Sequence, residues 1–139
     1  MTSARKRIGA PDPRLAEIAL AAWEAAASGD RERLAALCAP DLVWHASGRG
    51  RWSGPREGID AVFEYLAAIG DAADQFSSEL QDVLASDRTA AVLFHVSGQR
   101  GGRLLETDFI LLFGIEGEQI RRIWSVPRDQ LAVDEFWAA

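Results

Sequence analysis

The sequence is poor in the residues that build covalent cross-links, metal centres and phosphate sites. It has one cysteine, Cys38, so an intrachain disulfide is excluded. Its two histidines, His45 and His95, are far apart in sequence and no cysteine pair accompanies them, so we expect no dedicated metal site. The glycines at 48, 50 and 54 lack the spacing of a phosphate-binding loop or a dinucleotide fingerprint. These absences favour a protein that works without a metal or a cofactor.

Clustered cationic charge and long apolar runs are scarce as well. The formal net charge is -6, which argues against a nucleic-acid or anionic-membrane partner, because phosphate binding needs clustered cations. The one basic cluster, residues 5–7, lies in a segment, 1–12, that we interpret as a disordered basic tail. The chain contains neither a membrane-spanning apolar run nor the apolar stretch of a signal peptide. The sequence therefore predicts a cytoplasmic location.

Large apolar side chains are abundant. The chain has 139 residues, of which 48% are hydrophobic, and this is enough for one well-packed core but leaves no room for a second domain. Residues 13–139 are accordingly predicted to form a single domain. Five tryptophans and six phenylalanines exceed what one small core needs. We expect some of them to line a pocket or an interface.

The first half of the chain has the period of amphipathic helices. Asp12 followed by Pro13 predicts a helix start, because aspartate caps free N–H groups and proline at the first helical position gives up no needed donor. Gly70 predicts the end of a later helix. The predicted elements are helices at 13–29, 31–38 and 59–69, a strand at 41–46, and a glycine-rich loop at 48–58 that forms a rim.

The second half changes to alternation of apolar and polar residues, which indicates strands. The predicted strands begin at Phe76 and are separated by turns near Ser86, Gly101 and Gly117. We interpret them as a four-stranded antiparallel meander, followed by a short helix or strap over 127–137. Helices followed by a sheet, with one early strand between them, predict an α+β fold.

Five short segments, taken in order, resemble a known family. They are residues 27–30, 41–48, 113–124 and 132–137, together with Gly54 and Gly58 before the third helix. In order and spacing they resemble the SnoaL-like polyketide cyclases, within the superfamily of nuclear transport factor 2 and ketosteroid isomerase. The resemblance implies a conical α+β barrel, in which a strongly curved, mainly antiparallel sheet wraps around three N-terminal helices. It also implies a deep apolar pocket and a homodimer formed through the outer sheet face.

His45 is the candidate for proton transfer in that pocket, since a histidine both accepts and donates a proton near neutral pH. Alternation places Trp44 and His45 on opposite faces of the strand. Counting back from Gly48 aligns His45 with the general base of the ketosteroid isomerase relatives, whereas counting forward from Asp30 aligns Ala46. We favour His45 inward and Trp44 on the outer face. If Trp44 faces inward instead, the pocket is aromatic and a binding domain is the better interpretation.

Other positions depart from the pattern of the relatives. A ketosteroid isomerase site, which is a standard example of tuned carboxyl groups, sets an aspartate base against a tyrosine and a protonated aspartic acid. The positions of these last two groups hold Ala22 and Phe109 in this chain. The cyclases commonly carry an acid after the tryptophan of the last strand, where this chain has Ser125. A serine orients a substrate oxygen but is neither acid nor base near neutral pH.

The predicted catalytic residues are therefore His45 and Ser125. Arg51 and Trp52 lie on the rim, where an arginine can meet a carboxylate or carbonyl of a ligand. The predicted substrate-binding residues are Trp44, Arg51, Trp52, Phe63, Phe94, Phe109, Leu111, Phe113, Ile123 and Trp124.

The resemblance implies a cofactor-independent enzyme of the cyclase or isomerase type, acting on a largely apolar, oxygenated, polyketide-like small molecule. The alternative is a non-catalytic ligand-binding or dimeric association domain of the same fold.

Overall fold

Four helices and six strands are present in the computed structural model, which describes residues 8–139. They are α1 (Pro13–Ser28), α2 (Arg31–Leu37), β1 (Cys38–Ala46), β2 (Gly54–Glu57), α3 (Gly58–Ala72), β3 (Gln75–Ala85), β4 (Thr89–Arg100), β5 (Arg103–Glu116), β6 (Gln119–Pro127) and α4 (Gln130–Trp137). The basic cluster of the predicted tail lies outside the described residues.

The ends of α1 follow the predicted capping chemistry. The Asp12 side chain accepts hydrogen bonds from the backbone N–H groups of Arg14 and Leu15, at 3.0 and 3.3 Å. Pro13 occupies the first turn, where its missing N–H costs nothing. Gly29 ends the helix with a φ of 73°, a left-handed conformation that glycine adopts without strain. The predicted position of the first helix is therefore confirmed.

The six strands form one sheet in the order β2-β1-β6-β5-β4-β3. Strands β3 to β6 make the predicted antiparallel meander, and β2 pairs antiparallel to β1. Only β1 and β6 pair in parallel among the described strands. Register shifts interrupt β3 between Leu80 and Asp82, and β5 between Gly114 and Ile115. Such bulges increase the bend of a sheet, which here curves around the helices without closing.

The helices cover one face of this sheet. Helix α1 packs on β3, β4 and β5, α3 packs on β1 and β2, and α4 packs on β5 and β6. The fully buried large side chains between the layers are Leu34, Leu42, Val62, Val92, Val96, Phe113, Ile120 and Ile123. The predicted α+β class with a curved, mainly antiparallel sheet is confirmed. Within residues 8–139, none of the helices combines the length and apolar character that crossing a bilayer requires.

Three predicted boundaries are wrong. The segment 48–58 is not entirely a loop, because Gly54–Glu57 forms β2 and pairs with β1. Strand β1 begins at Cys38, so the second helix ends one residue earlier than predicted. Helix α3 continues through Gly70 to Ala72. Ile69 and Ala72 both pack against the core, and this packing outweighs the modest helix penalty of one glycine.

Two arginines of the β4–β5 hairpin hold the end of α4. Arg100 Nη1 donates to the carbonyl oxygens of Phe136 and Ala138, at 3.0 and 2.8 Å. Arg103 donates to the carbonyls of Ala138 and Ala139. Cations at this end of a helix meet its free carbonyl groups and the negative end of its dipole. The hairpin thereby fixes the position of α4 at one end of the sheet.

A charged cluster occupies the outer face of the sheet. His95 Nδ1 lies 2.9 Å from Asp108 Oδ1, and His95 Nε2 lies 2.5 Å from Glu106 Oε2. Glu79 stands opposite His95 on β3, and Arg128 pairs with Asp108 at 3.3 Å. Hydrogen bonds to Asp108 and then Glu106 raise the pKa of His95, and the same contacts lower the pKa values of both acids. The imidazolium form, with two N–H donors, fits these acceptors.

We expect this cluster to make stability depend on pH. A raised folded-state pKa means that the contribution of His95 is complete below about pH 6.5, the ordinary value, and is lost as the pH rises through the folded-state value. The Tm advantage of the natural protein over a His95→Gln variant should therefore shrink as the pH is raised from about 6.5 into the alkaline range. Thermal unfolding followed by circular dichroism measures it. A constant difference across this range would contradict the assignment.

Candidate functional site

A cavity of about 420 Å³ lies between the helices and the concave face of the sheet. Every layer of the fold contributes to its wall, and it is partly open to solvent. Its aromatic lining residues are Trp23, Trp44, Trp52, Tyr65, Phe76, Phe94, Phe109 and Trp137. The volume falls within the range of about 300–1,000 Å³ that is typical of small-molecule sites.

The aromatic rings support one another around the cavity. Phe94 stacks on Phe109 with their centroids 5.6 Å apart, and Trp23 from α1 tilts against Phe94 at 5.7 Å. On the opposite side, Trp52 meets Trp137 edge to face at 5.9 Å. Offset and edge-to-face pairs are favourable arrangements for aromatic rings. The rings therefore form a firm apolar wall rather than a set of independent side chains.

Strand β1 points Trp44 into the cavity and His45 away from it, so the predicted orientation of this strand is wrong. Trp44 is only 4% exposed and lines the cavity, whereas His45 does not. The pairing with β6 is the cause: Trp44 lies beside the fully buried Ile123, and His45 lies beside Trp124. His45 stacks on the Trp124 ring at 5.6 Å, on the outer face. A proton-transfer role for His45 inside the cavity has no geometric support.

The other predicted residues divide into three groups. Those on the cavity wall, besides Trp44, are Trp52, Phe94, Phe109, Leu111 and Ser125. Phe113 and Ile123 share this face but lie in the solid core, where both are fully buried. The residues away from the cavity wall are Arg51, Phe63 and Trp124.

Each residue of the third group has a different contact. Arg51 lies over the Trp52 ring, with its guanidinium carbon 4.8 Å from the ring centroid. Phe63 is half-buried against the core outside the cavity wall, and Arg31 lies over its ring at 5.9 Å. Trp124 belongs to the outer sheet face with His45. The register of β6 turns Trp124 to the outer face, while Arg51 in the rim loop and Phe63 on α3 also lie outside the cavity wall.

Polar groups occur at both ends of the cavity and at one point on the sheet. Ser47, Ser53, Gln130 and Asp134 lie where the rim loop meets α4, and Asp74 with Gln75, Ser77 and Ser78 lies at the start of β3. Ser125 is the polar residue that β6 contributes. Within residues 8–139, no group of three or more histidine, cysteine or acidic side chains is arranged to hold a metal ion.

The rim loop rests directly on the polar side chains of α4. Gln130 Nε2 donates to Asp134 Oδ1 at 3.0 Å. A β-carbon at Gly48 would collide with the ends of both flexible side chains, which would have to move, and the φ of 95° at Gly48 favours glycine. A β-carbon at Gly50 would come within 3.3 Å of the Asp134 carboxylate. The absence of side chains at Gly48 and Gly50 leaves room for this close approach of the loop to Asp134.

Arg56 fixes the far end of the rim loop. Its Nη1 donates to the carbonyl oxygens of Trp52, Ser53 and Gly54, at 2.8, 3.0 and 3.0 Å. The same guanidinium lies over the Tyr65 ring at 4.5 Å. Burial raises the pKa of the Tyr65 hydroxyl to about 12, although Arg56 acts in the opposite direction. Tyr65 is therefore neutral near pH 7 and has the character of a hydrogen-bond donor rather than a base.

Sequence reasoning missed several residues of this site. Trp23 follows Ala19 by four positions and precedes Ala26 by three, so helical spacing alone places it on the buried face. Tyr65 follows the core residue Val62 by three positions and is recoverable in the same way. Asp134 has no such signal, because a polar residue in a short terminal helix ordinarily faces solvent.

Comparisons with known proteins agree with this architecture. The family model for the SnoaL-like domain matches residues 19–123. An uncharacterized protein of Mycobacterium tuberculosis is 29% identical over 118 residues, which cover 84% of this chain and 90% of that protein.

Two solved structures are similar over most of the chain. Bal32a, from a soil-derived mobile gene cassette, has a TM-score of 0.84 and 27% identity, and the match covers 91% of this chain and 98% of Bal32a. A Xanthomonas campestris protein of unknown function with a cystatin-like fold has a TM-score of 0.79 and 29% identity, with 88% of this chain and 97% of that chain covered.

Proposed function

Because this chain belongs to the SnoaL-like domain family, as the sequence predicted, we propose that its cavity binds a largely apolar small molecule carrying oxygen atoms. We further propose that it acts on this molecule as an enzyme of the cyclase or isomerase type, without a cofactor. The observation that carries the proposal is the open, aromatic-lined cavity of about 420 Å³. Such a wall favours flat, apolar ligands, and the polar groups at its ends suit a few oxygen atoms.

The mainly apolar lining is better suited to holding a substrate in a reactive conformation than to catalysis by several charged side chains. A firm aromatic wall holds a flexible chain in one folded shape and excludes water, which brings reacting atoms together without a co-reactant. Ser125, which is nearly buried on the cavity wall, is a candidate to hydrogen-bond a substrate oxygen. Trp52, Phe94, Phe109 and Leu111 are the candidates to bind its apolar part.

Binding can be tested with 9-fluorenone, a flat and mostly apolar ketone, by quenching of tryptophan fluorescence. We expect saturable quenching in the natural protein, and binding weakened about tenfold or more in Ala46→Phe, because Ala46 lines the cavity and a phenyl ring there fills it. The matched control is Ala35→Phe, which introduces the same ring at an exposed position of α2. Equal affinity of Ala46→Phe and the natural protein would exclude the cavity as the binding site.

A second candidate function is ligand binding without catalysis. The orientation of β1 favours it. Trp44 faces the cavity and His45 stacks on Trp124 on the outer face, so His45 cannot act as a base on a ligand in the cavity. The two candidates differ in turnover and not in affinity. A protein that binds 9-fluorenone but accelerates no proton transfer in its cavity would be a binding domain.

We also propose that the outer sheet face pairs two copies of the chain. Five large apolar side chains, each at least one-third exposed, share the outer face: Leu84, Ile110, Leu112, Trp124 and Val126. They lie in adjacent registers, since Ile110 pairs with Val126 and Leu112 pairs with Trp124. A contiguous apolar patch of this kind is typical of an interface. The resemblance to the family implies the same face.

A further inference from the structure

We infer that Asp134 is the proton-transferring residue of the cavity, a role that sequence reasoning assigned to His45. The inference rests on the proposed function, since it needs a substrate in the cavity. It adds a catalytic base that comes from α4, outside the strand positions where the pattern of the relatives places acids. Four observations about Asp134 and its surroundings support the inference.

Asp134 is held in place by one oxygen and leaves the other available. Gln130 Nε2 donates to Oδ1 at 3.0 Å, and this is the hydrogen bond that the Asp134 side chain makes to described residues. No lysine or arginine within residues 8–139 forms an ion pair with it. A carboxylate that is oriented by a neutral amide, and not neutralised by a cation, retains its ability to accept a proton.

Asp134 is also half-buried beside aromatic rings. Trp52 and Trp137 contribute to the same cavity wall, and Gly48 and Gly50 bring the rim loop against the carboxylate. A ligand in the cavity would exclude further water from this end. Electrostatic interactions between a carboxylate and a ligand are stronger where water is excluded. The location of Asp134 therefore favours proton transfer between its carboxylate and a bound ligand.

The only other carboxylate on the cavity wall, within the described residues, is exposed to solvent. Asp74 lies just before β3, and its Oδ2 accepts a hydrogen bond from the backbone N–H of Gly101 at 3.0 Å. That contact joins the start of β3 to the β4–β5 turn. Each carboxylate has one oxygen held by a hydrogen bond, and Asp134 differs from Asp74 in being half-buried.

The remaining polar groups of the wall cannot accept a proton as readily. Ser125 has no useful basicity near neutral pH, and the Tyr65 hydroxyl is neutral with a pKa of about 12. Both are hydrogen-bond donors suited to an oxygen that gains negative charge. The cavity thus combines one available carboxylate with neutral donors.

The chemistry that follows needs no co-reactant. Asp134 takes a proton from a carbon next to a carbonyl group, the electron pair of the C–H bond forms a C=C bond, and the carbonyl π pair moves to oxygen. In a β,γ-unsaturated ketone this step gives a dienolate, and return of the proton to its γ carbon restores the C=O bond, moves the C=C bond and gives an isomer. Alternatively, the enolate carbon attacks a second carbonyl carbon of the same molecule, and the new C–C bond closes a ring. The π pair of the second carbonyl moves to its oxygen, and the resulting alkoxide takes the proton back from Asp134.

The inference can be tested with 5-nitrobenzisoxazole, a flat aromatic probe for bases in apolar sites. A base removes its ring C–H proton, the released electron pair forms a nitrile, and the N–O bond breaks to leave a coloured phenolate. We expect the natural protein to accelerate this reaction, and Asp134→Asn to lose about 100-fold or more in kcat/KM, the lower end of the usual contribution of a general base. Asp134→Glu should retain part of the rate.

Glu135→Gln is the matched control, since Glu135 is the neighbouring carboxylate on α4 and is exposed. Affinity for 9-fluorenone, measured on every variant, separates loss of the base from loss of the cavity. An Asp134→Asn variant as fast as the natural protein would overturn the role of Asp134 alone. Normal fluorenone binding without acceleration would overturn that role and leave the second candidate function, ligand binding without catalysis. Absence of fluorenone binding in the natural protein would instead overturn the proposed function.

Discussion

Replacing Phe113 with alanine should lower the free energy of unfolding by about 3–5 kcal/mol, the range found for buried phenylalanines. Phe113 is fully buried on β5, beside Ala90 of β4 and the fully buried Ile123 of β6. Its removal leaves a cavity that the rigid sheet cannot close, so the lost contacts are not recovered. Urea denaturation followed by tryptophan fluorescence measures the change.

The control for this substitution is Leu104→Ala on the same strand. Leu104 is 72% exposed, so its truncation should change the free energy of unfolding by less than about 0.5 kcal/mol. Similar losses for the two variants would mean that β5 is not inserted in the core as described. A large loss for Phe113→Ala alone is the expected result, because Phe113 is buried and Leu104 is not.

Trp124→Glu should convert the proposed dimer to a monomer, with association weakened by about 100-fold or more, since central aromatic residues dominate such interfaces. Trp124 is 36% exposed in the isolated chain and is the largest side chain of the outer apolar patch, where it lies between Leu112 and His45. A buried glutamate there would lack a partner, which adds the cost of desolvating its charge. Sedimentation velocity across a concentration series measures the association.

A second interface variant and a control variant test this prediction further. Leu112→Lys places a charge on the neighbouring strand of the same patch and should have a similar effect, whereas Leu131→Glu changes an exposed leucine on α4, outside the sheet, and should have none. A monomeric natural protein, or a Trp124→Glu variant that remains dimeric, would contradict the proposed interface. Circular dichroism of each variant checks that the fold is intact.

The fold could be predicted from the sequence because its signals are local. Asp12, Pro13 and Gly29 define α1 through capping and backbone conformation, and these effects act within a few residues. Alternation from Phe76 onward defines the strands of the meander, because neighbouring strands are joined by short turns. Each of these patterns lies within one short segment, so it can be recognised without knowing which distant segments are in contact.

The site could be predicted only in part because it depends on contacts between distant segments. Alternation separates Trp44 from His45, but it does not show which face is buried; pairing with β6 decides this, and places Trp44 beside Ile123. Asp134 lines the cavity because α4 folds back over the sheet and is held by Arg100. Helix α4 has only eight residues, and their periodicity does not show that Asp134 faces the cavity.

The parallel pairing of β1 with β6 also bears on the order in which the protein folds. Ser47 and Ser125, joined by a backbone hydrogen bond, are 78 residues apart in sequence. The hairpins of the meander need only short loops to close, whereas β1 must wait for the last strand of the sheet. During synthesis, the first strand of the chain can pair early with β2, but its other neighbour, β6, is the last strand to be made. Until then Trp44 lacks Ile123 beside it, so we expect the cavity to be completed at the end of folding.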